Sequence, residues 1–256
     1  MEEPATENPN RSLTQDQIDT FRRDGFVVIG KLLEDSEIEP LRLEYDRLFD
    51  EARDGDHFRN LSADGGAAQR QDEGADEEML QIMQMCERSI IYRRLIHDEH
   101  ILDIAEDLIG PCIQLFHDQA LFKPAHHGGP IHWHQDNGYW KCRPANLVSC
   151  WLTLDDVDVA NGAMHLVPGS HLAAHGHERG DVLLDASVAV GGVEPVVVDL
   201  PAGGAMFHHC QTLHSTPPNR TDRQRRAFAA HFMTPGTRSA TGDMPVSFAR
   251  PLLRSR

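Results

Sequence analysis

The chain has 256 residues, and its 24 basic and 40 acidic side chains give a formal net charge of −16 at pH 7. This charge argues against a protein that binds nucleic acid or an anionic membrane, because phosphate groups would repel it. Five cysteines without a CxxC motif are typical of free thiols in a reducing compartment. The first ten residues are polar and acidic, unlike a signal peptide, so a cytoplasmic protein is expected.

The N-terminal part of the chain predicts helices. Thr14 and Gln17 form a capping-box pattern, and the apolar stripe that follows ends at Gly25. A short β-branched run over 26–29 predicts a buried strand. Further helices are predicted over 35–53, 79–96 and 98–109. Residues 1–12 are expected to form a flexible tail, and the acidic, glycine-rich stretch 54–78 is expected to form a mobile loop.

After residue 112 the pattern changes to short β-type runs separated by turn residues. Strands are predicted over 113–122, 147–154, 163–167, 196–200, 205–207 and 226–233. Helices followed by strands favour the α+β class, with the sheet closed into a barrel or sandwich. Because no Pro/Ser-rich linker separates the two halves, residues 1–256 are predicted to form a single domain.

The candidate chemistry begins with His134 and Asp136. In an extended strand, residues two apart point to the same face, so both side chains could converge on one ion. The pair alone is weak evidence, since a histidine at a strand end is often hydrogen-bonded to a nearby carboxylate. Downstream, His214 adds a second imidazole, and two histidines with one carboxylate form the facial triad of non-haem Fe(II) oxygenases. Arg225 or Arg226 would then offer a charged fork for a dicarboxylate, and the period of two allows only one of them to face inward.

Further motifs accompany these residues in a fixed order. They lie at residues 13–17, 23–28, 121–124, 161–163 and 167–171. With His134, Asp136, His214 and Arg225, they make the chain similar to the phytanoyl-CoA dioxygenase family of Fe(II)- and 2-oxoglutarate-dependent oxygenases. The resemblance covers most of the chain and implies a double-stranded β-helix, or jelly roll, with N-terminal helices packed on it.

The resemblance also implies the site and the reaction. His134, Asp136 and His214 would bind Fe(II), and Arg225 would pair with the distal carboxylate of 2-oxoglutarate. With O2 as co-substrate, 2-oxoglutarate would be decarboxylated to succinate and CO2 while a substrate C–H bond is oxidised. The protein would keep the coordination face open and exclude water from it.

Other residues carry expectations about co-substrate and outcome. Trp151, Thr216 and Lys123 fall where family members often contact 2-oxoglutarate. Related halogenases replace the aspartate with a small residue, so the retained Asp136 favours hydroxylation, desaturation or ring chemistry. A small-molecule substrate is expected, and the acidic composition makes a polyanionic CoA ester less attractive.

Most of the 16 histidines have ordinary explanations. His126, His127 and His132 are expected at surface or turn positions, although they could also line the substrate mouth. His171 is expected to be structural.

The alternation of side chains along a strand makes two further histidines candidates for the interior. Two aromatic residues also follow the His-x-Asp pair. His208 would share the face of His214 only if the strand between them is unbroken, and it is not taken as a ligand. His231 shares the parity of Arg225 and could face the barrel interior or be a core histidine. Tyr139 and Trp140 could form a substrate wall, and core packing explains them equally well.

Two alternative functions remain open. A catalytically silent jelly-roll protein could bind metal for sensing, and a hydrolase could bind zinc with the same 2-His-carboxylate set. The dicarboxylate-binding arginine speaks against a pure metal binder, since such a protein needs no clamp for a co-substrate.

Overall fold

The computed structural model describes residues 12–55, 58–62, 77–173, 192–239 and 250–255. The predicted tail, apart from residue 12, and residues 56–57 and 63–76 of the predicted loop lie outside the described residues. Within 54–78, residues 54–55 end a helix and residues 59–60 form a two-residue strand, so these four positions are not loop. Within the described ranges, no helix is long and apolar enough to cross a membrane.

Helices occupy the N-terminal part, as the sequence predicts, and one more follows the His-x-Asp pair. The Thr14 capping box is formed, and Gly25 ends the first helix with a φ of 85°. A left-handed residue without a Cβ atom suits this position because the chain turns directly into a strand. The helices are α1 (Gln15–Asp24), α2 (Asp35–Gly55), α3 (Met85–Arg88), α4 (Ile90–Leu95), α5 (Glu99–Ile109) and α6 (Asp136–Trp140).

The strands form two larger antiparallel sheets and one short ribbon. The large sheet has the order β1 (Phe26–Lys31), β10 (Gly204–His209), β7 (Leu147–Thr153), β12 (Arg225–Met233), β4 (Ile113–Lys123), β3 (Leu80–Met83) and β2 (Arg59–Asn60), and β14 (Leu252–Arg254) also pairs with β4. The smaller sheet has the order β5 (Ile131–His134), β11 (His214–Thr216), β8 (Met164–Leu166) and β9 (Val196–Val198). The ribbon pairs β6 (Cys142–Arg143) with β13 (Arg238–Ser239).

Each face of the large sheet buries a different apolar core. On β12, Phe228 and Phe232 face the core that also contains the helix side chains. Ala227 and Ala229 face a second core, which includes Met164 and other side chains of the smaller sheet. The two cores follow from the alternation of side chains along a strand. The helices therefore cover one face of the large sheet, and the other face encloses the barrel interior.

The predicted α+β class and the six predicted strands are confirmed, with boundary shifts of a few residues. The predicted helix over 79–96 is wrong at its start, because Leu80–Met83 is a strand paired with β4. Leu80 and Ile82 are buried while Gln81 and Met83 are half-buried, which is the alternation of a strand. Leu, Gln and Met are good helix formers, so pairing and burial override local propensity here. The helices α3 and α4 follow only after Gln84, whose φ is 60°.

Candidate active site

Three predicted metal ligands meet where the smaller sheet approaches the large one. His134 ends β5, His214 begins β11, and the two residues are register partners. The Oδ1 atom of Asp136 lies 3.6 Å from Nε2 of His134 and 3.8 Å from Nε2 of His214. One ligand atom from each residue falls within 4.8 Å of the others. The expected reason for this convergence is wrong, however: Asp136 is the first residue of α6, so a turn from strand to helix brings the carboxylate back, not strand alternation.

Backbone carbonyls orient both imidazoles. Nδ1 of His134 lies 2.8 Å from the carbonyl oxygen of His132, and Nδ1 of His214 lies 2.9 Å from that of Thr212. A carbonyl oxygen only accepts, so each Nδ1 carries the proton and each Nε2 presents a lone pair. Both lone pairs therefore lie on the side of Asp136, which is the arrangement a metal ion requires.

The charges at the centre also suit a cation. Burial, and next the neighbouring His134, lower the pKa of His214 well below its ordinary value, so its imidazole is neutral at neutral pH. Burial would raise the pKa of Asp136, but His214, His134 and His208 together hold it well below the usual range. One carboxylate and two imidazoles form the donor set of a non-haem Fe(II) centre with open positions. The residues present therefore fit iron, and the same set can also bind zinc.

Loops behind the centre are tied together by the side chain of Gln135. Its Nε2 atom donates to the carbonyl oxygens of Gln211 at 2.6 Å and Ala173 at 2.9 Å. Ser170 adds a second tie, because its hydroxyl accepts from the backbone N–H of Leu213 at 2.8 Å. The residue between the two proximal ligands and the motif around Ser170 thus hold the segment that leads into the distal histidine.

The N-terminal helix reaches the same segment through Gly25. The Thr212 hydroxyl donates to the carbonyl oxygen of Gly25 at 2.7 Å, and the Thr212 carbonyl accepts from His214. A Cβ atom at Gly25 would lie 2.5 Å from Nδ1 of His171 and 2.6 Å from the Thr212 hydroxyl. His171 packs here and its Nε2 contacts the Arg22 carbonyl at 3.1 Å, which agrees with the structural role expected for it.

Arg225 lies in the barrel interior and is fully buried. Its neighbour Arg226 points to the other face and pairs with Asp155 and Asp46, so only one of the two arginines faces inward, as expected. The Arg225 guanidinium lies 5.8 Å from the centre of the Trp151 ring and donates to the Leu121 carbonyl at 3.3 Å.

The charge of Arg225 has no carboxylate partner among the described residues. Its Nε atom is buried without a hydrogen bond there. Burial lowers the pKa of Arg225 to about 10, which still leaves it charged at neutral pH. A buried, unpaired guanidinium is expensive unless an anion joins it. The arrangement therefore fits a carboxylate of a bound ligand.

Lys123 and Thr216 complete the same end of the barrel. Lys123 is a register partner of Arg225, and its Nζ atom donates to the carbonyl oxygens of Gly129, Thr216 and Pro217 at 2.5–3.3 Å. Burial, and next Arg225, lower the pKa of Lys123 to about 5. Three carbonyl acceptors match the three N–H donors of an ammonium group, so a bound anion would restore the charge that burial disfavours. The hydroxyl of Thr216 is buried without a partner among the described residues. The predicted co-substrate residues, Trp151 included, thus share one region.

Two contacts of Asp136 were not predicted as part of the site. Its Oδ2 atom accepts from the Ser149 hydroxyl at 3.1 Å and lies 3.3 Å from Nε2 of His208. His231 is buried in the interior, one of the two positions left open for it, and its Nδ1 lies 2.7 Å from the Ser149 hydroxyl. The only sequence signal for His208 was its parity with His214, and that signal fails because the chain leaves β10 and enters the other sheet between them.

The remaining aromatic and histidine residues divide between surface and core. Tyr139 is 70% exposed, and its ring lies 5.7 Å from that of His134. Trp140 packs against Phe116 at 4.9 Å, so core packing accounts for it. The histidines expected at surface or turn positions are exposed, namely His126, His127 and His132. None of the five cysteines, all of which lie in the described ranges, forms a disulfide.

Comparison with known proteins identifies the family of this chain. The sequence model of the phytanoyl-CoA dioxygenase family matches residues 21–227. The chain belongs to the phytanoyl-CoA dioxygenase family. It is 27% identical to the peroxisomal phytanoyl-CoA dioxygenase of Mus musculus, over 87% of this chain and 69% of that one. It is 25% identical to the ectoine dioxygenase of Bordetella parapertussis, over 81% of this chain and 71% of that one.

A solved structure of this kind is that of the non-haem α-ketoglutarate-dependent epimerase SnoN from nogalamycin biosynthesis. It is 25% identical, covers 94% of this chain and 98% of its own, and superposes with a TM-score of 0.77. SnoN has also been solved with Fe3+, α-ketoglutarate and nogalamycin RO. The jelly-roll core expected for a member of the phytanoyl-CoA dioxygenase family is confirmed by this likeness.

Proposed function

We propose that the protein is an Fe(II)- and 2-oxoglutarate-dependent dioxygenase that hydroxylates a C–H bond of a small-molecule metabolite. O2 is the second co-substrate. One oxygen atom enters the substrate as a hydroxyl group and the other enters succinate, while 2-oxoglutarate loses CO2, so atoms and electrons balance. The observation that carries the proposal is the pairing of a convergent His-Asp-His set with a buried arginine that has no carboxylate partner among the described residues.

In this proposal, His134, Asp136 and His214 hold the iron, which supplies the redox chemistry with O2. Both histidines bind through Nε2, because Nδ1 of each is engaged by a backbone carbonyl. The protein contributes a fixed, half-open coordination face. Side-chain exposures of 14% for His134 and 7% for His214 place the accessible side near His134.

Arg225 binds the distal carboxylate of 2-oxoglutarate. A guanidinium presents a planar fork that matches a carboxylate in a bidentate manner, and the complete burial of Arg225 strengthens that contact. Thr216 contributes its unpartnered hydroxyl and Lys123 a second positive charge once the anion is present. The Trp151 ring, stacked near the guanidinium, keeps the fork in one orientation.

The substrate enters at the exposed side, where the Tyr139 ring lies beside His134. We propose that Tyr139 forms one wall of the substrate mouth. The net charge of −16 disfavours polyanionic CoA esters, so a free or carrier-bound metabolite is the preferred substrate class. The retained Asp136 leaves no position for a halide in the ligand set, which favours hydroxylation over halogenation.

The test is a panel of candidate metabolites scored by substrate-stimulated succinate release, with mass spectrometry for a product heavier by one oxygen atom. Asp136→Ala and Arg225→Ala should abolish the release. Arg223→Ala is the matched control, because this exposed arginine pairs with Asp158 at the surface, and its loss should leave turnover unchanged. Turnover of 2-oxoglutarate by both site variants at the parental rate would contradict the proposal.

Anaerobic spectroscopy separates this function from the two alternatives. Fe(II) with 2-oxoglutarate should give a visible charge-transfer band in the parent and not in Asp136→Ala. A silent metal-binding protein would bind the ion without the band. A zinc hydrolase would be active with zinc, and its activity would not depend on Arg225.

A further inference from the structure

The two carboxylate oxygens of the buried Asp136 have different neighbours. Oδ1 faces Nε2 of His134 and of His214. Oδ2 faces away from them and contacts the Ser149 hydroxyl at 3.1 Å and Nε2 of His208 at 3.3 Å. Ser149 is fully buried and His208 is 2% exposed, so neither contact competes with water.

The direction of each hydrogen bond follows from the donors available. A serine hydroxyl has one hydrogen, and a carboxylate oxygen only accepts, so Ser149 donates to Asp136 and must accept from Nδ1 of His231. Nε2 of His231 then accepts from the Gln119 amide at 2.9 Å. Gln119 in turn accepts from the amide of Gln81 through its oxygen. Every hydrogen in this chain therefore points toward Asp136.

The second donor is assigned in the same way. Nδ1 of His208 is buried and has no partner among the described residues. A carboxylate oxygen only accepts, so the contact with Oδ2 of Asp136 places a proton on Nε2 of His208. The ring centre lies 4.6 Å from that of His214, and the described metal-binding group consists of His134, Asp136 and His214 without His208. Its position is that of a residue that holds a ligand, not of a ligand.

We propose that Ser149 and His208 are positioning residues that occupy Oδ2 of Asp136 and leave Oδ1 alone to bind the metal. This inference rests on the proposed function, since it assigns partners within the same centre. Two donors on Oδ2 prevent the carboxylate from chelating the ion through both oxygens. The centre then keeps one more open position, which the co-substrates require. His231 sets the direction of the Ser149 hydrogen.

The test measures metal binding instead of turnover. Metal-free protein is titrated with Mn(II), and the electron paramagnetic resonance of the complex in 17O-enriched water counts the coordinated waters. Ser149→Ala and His208→Leu should each weaken Mn(II) binding by about 10- to 100-fold. The double variant should show one fewer coordinated water than the parent, because Oδ2 becomes free to chelate.

Conservative variants and neighbours serve as controls. His208→Gln retains an N–H donor near the position of Nε2 and should recover most of the affinity. Thr153→Val removes a buried hydroxyl from the same strand as Ser149, and that hydroxyl donates to the Pro201 carbonyl instead of the centre. This variant should bind Mn(II) as the parent does. If Ser149→Ala does not fold, Ser149→Cys keeps the volume with a weaker donor and takes its place.

The outcomes separate this inference from the proposed function. Loss of Mn(II) binding in Asp136→Ala is required by both. If Asp136→Ala loses the metal while Ser149→Ala and His208→Leu bind it within twofold of the parent with an unchanged water count, the positioning role is wrong and the centre stands. If the two variants only lower the urea stability of the metal-free protein, their role is structural and the inference is equally wrong. Retention of Mn(II) by Asp136→Ala would contradict the centre itself.

Discussion

Replacing Arg225 with methionine should make the ligand-free protein more stable and the co-substrate complex much weaker. Arg225 is fully buried without a carboxylate partner among the described residues, so the folded protein holds a charge that nothing nearby neutralises. Methionine fills a similar volume with a flexible apolar chain. The charge is useful only when a carboxylate is bound, and its removal therefore separates stability from binding.

The size of the effect follows from the pKa. Burial lowers the pKa of Arg225 from its ordinary value to about 10, and at about 1.4 kcal/mol per pH unit the difference corresponds to about 3 kcal/mol against the folded state. The charged form is the disfavoured one, so the destabilisation is present at all pH values below the folded pKa and fades only as the pH rises above it. Methionine forfeits the hydrogen bond to Leu121 and the contact with Trp151, about 1–2 kcal/mol together. The expected net gain for Arg225→Met is about 1–2 kcal/mol.

Urea unfolding of the metal-free protein at pH 7 measures this gain. Arg226→Met is the matched control, because the next residue on the strand is nearly buried but paired with Asp155 and Asp46. Its loss removes the guanidinium that pairs with Asp155 and Asp46 and leaves Asp155 with Arg42, at 3.5 Å. This should destabilise the protein by about 2–3 kcal/mol. Calorimetry with 2-oxoglutarate and Mn(II) should show affinity lower by about 30-fold or more for Arg225→Met. A less stable Arg225→Met variant, or one with parental 2-oxoglutarate affinity, would refute the reasoning.

Two further changes follow from the same region and from the loop behind the distal histidine. Burial lowers the pKa of Lys123 to about 5, so Lys123 should take up a proton when 2-oxoglutarate binds at pH 7. Calorimetry in buffers of different ionisation enthalpy measures this proton uptake. The Lys123→Met variant should show no proton uptake. Gly25→Ala places a Cβ atom against His171 and Thr212 at a φ of +85°, so thermal unfolding should show a loss of about 1–3 kcal/mol together with weaker metal binding. Gly30→Ala, at a φ of +81° with nothing within 4 Å, should show the smaller backbone cost alone and unchanged metal binding.

Strand alternation was the sequence signal that succeeded at the site. It assigned Arg225 and Arg226 to opposite faces, and the structure confirms this because β12 runs unbroken from Arg225 to Met233. The same signal was misapplied to His134 and Asp136, since β5 ends at His134. Their convergence comes from the turn into α6, and the sequence shows no periodic pattern that predicts this turn.

Helix propensity failed where pairing with a neighbour decides the conformation. Residues 80–83 are good helix formers, and they form a strand because β4 offers an edge on which Leu80 and Ile82 become buried. This strand carries Gln81 into the barrel interior, where its amide starts the hydrogen-bonded chain that ends at Asp136. A local error in the prediction therefore hid a contact that is relevant to the site.

The partners of Asp136 lie beyond sequence patterns for a related reason. His208 belongs to the large sheet, and His214 belongs to the smaller one, so the contact between His208 and the carboxylate exists only because the sheets face each other. Ser149 reaches the same oxygen from the neighbouring strand β7. The alternation of side chains predicts which residues share a face of one strand, but it does not predict contacts between two sheets. The spacing of residues along the sequence predicts the metal ligands of such a centre. The side chains that orient those ligands depend on how the two sheets pack.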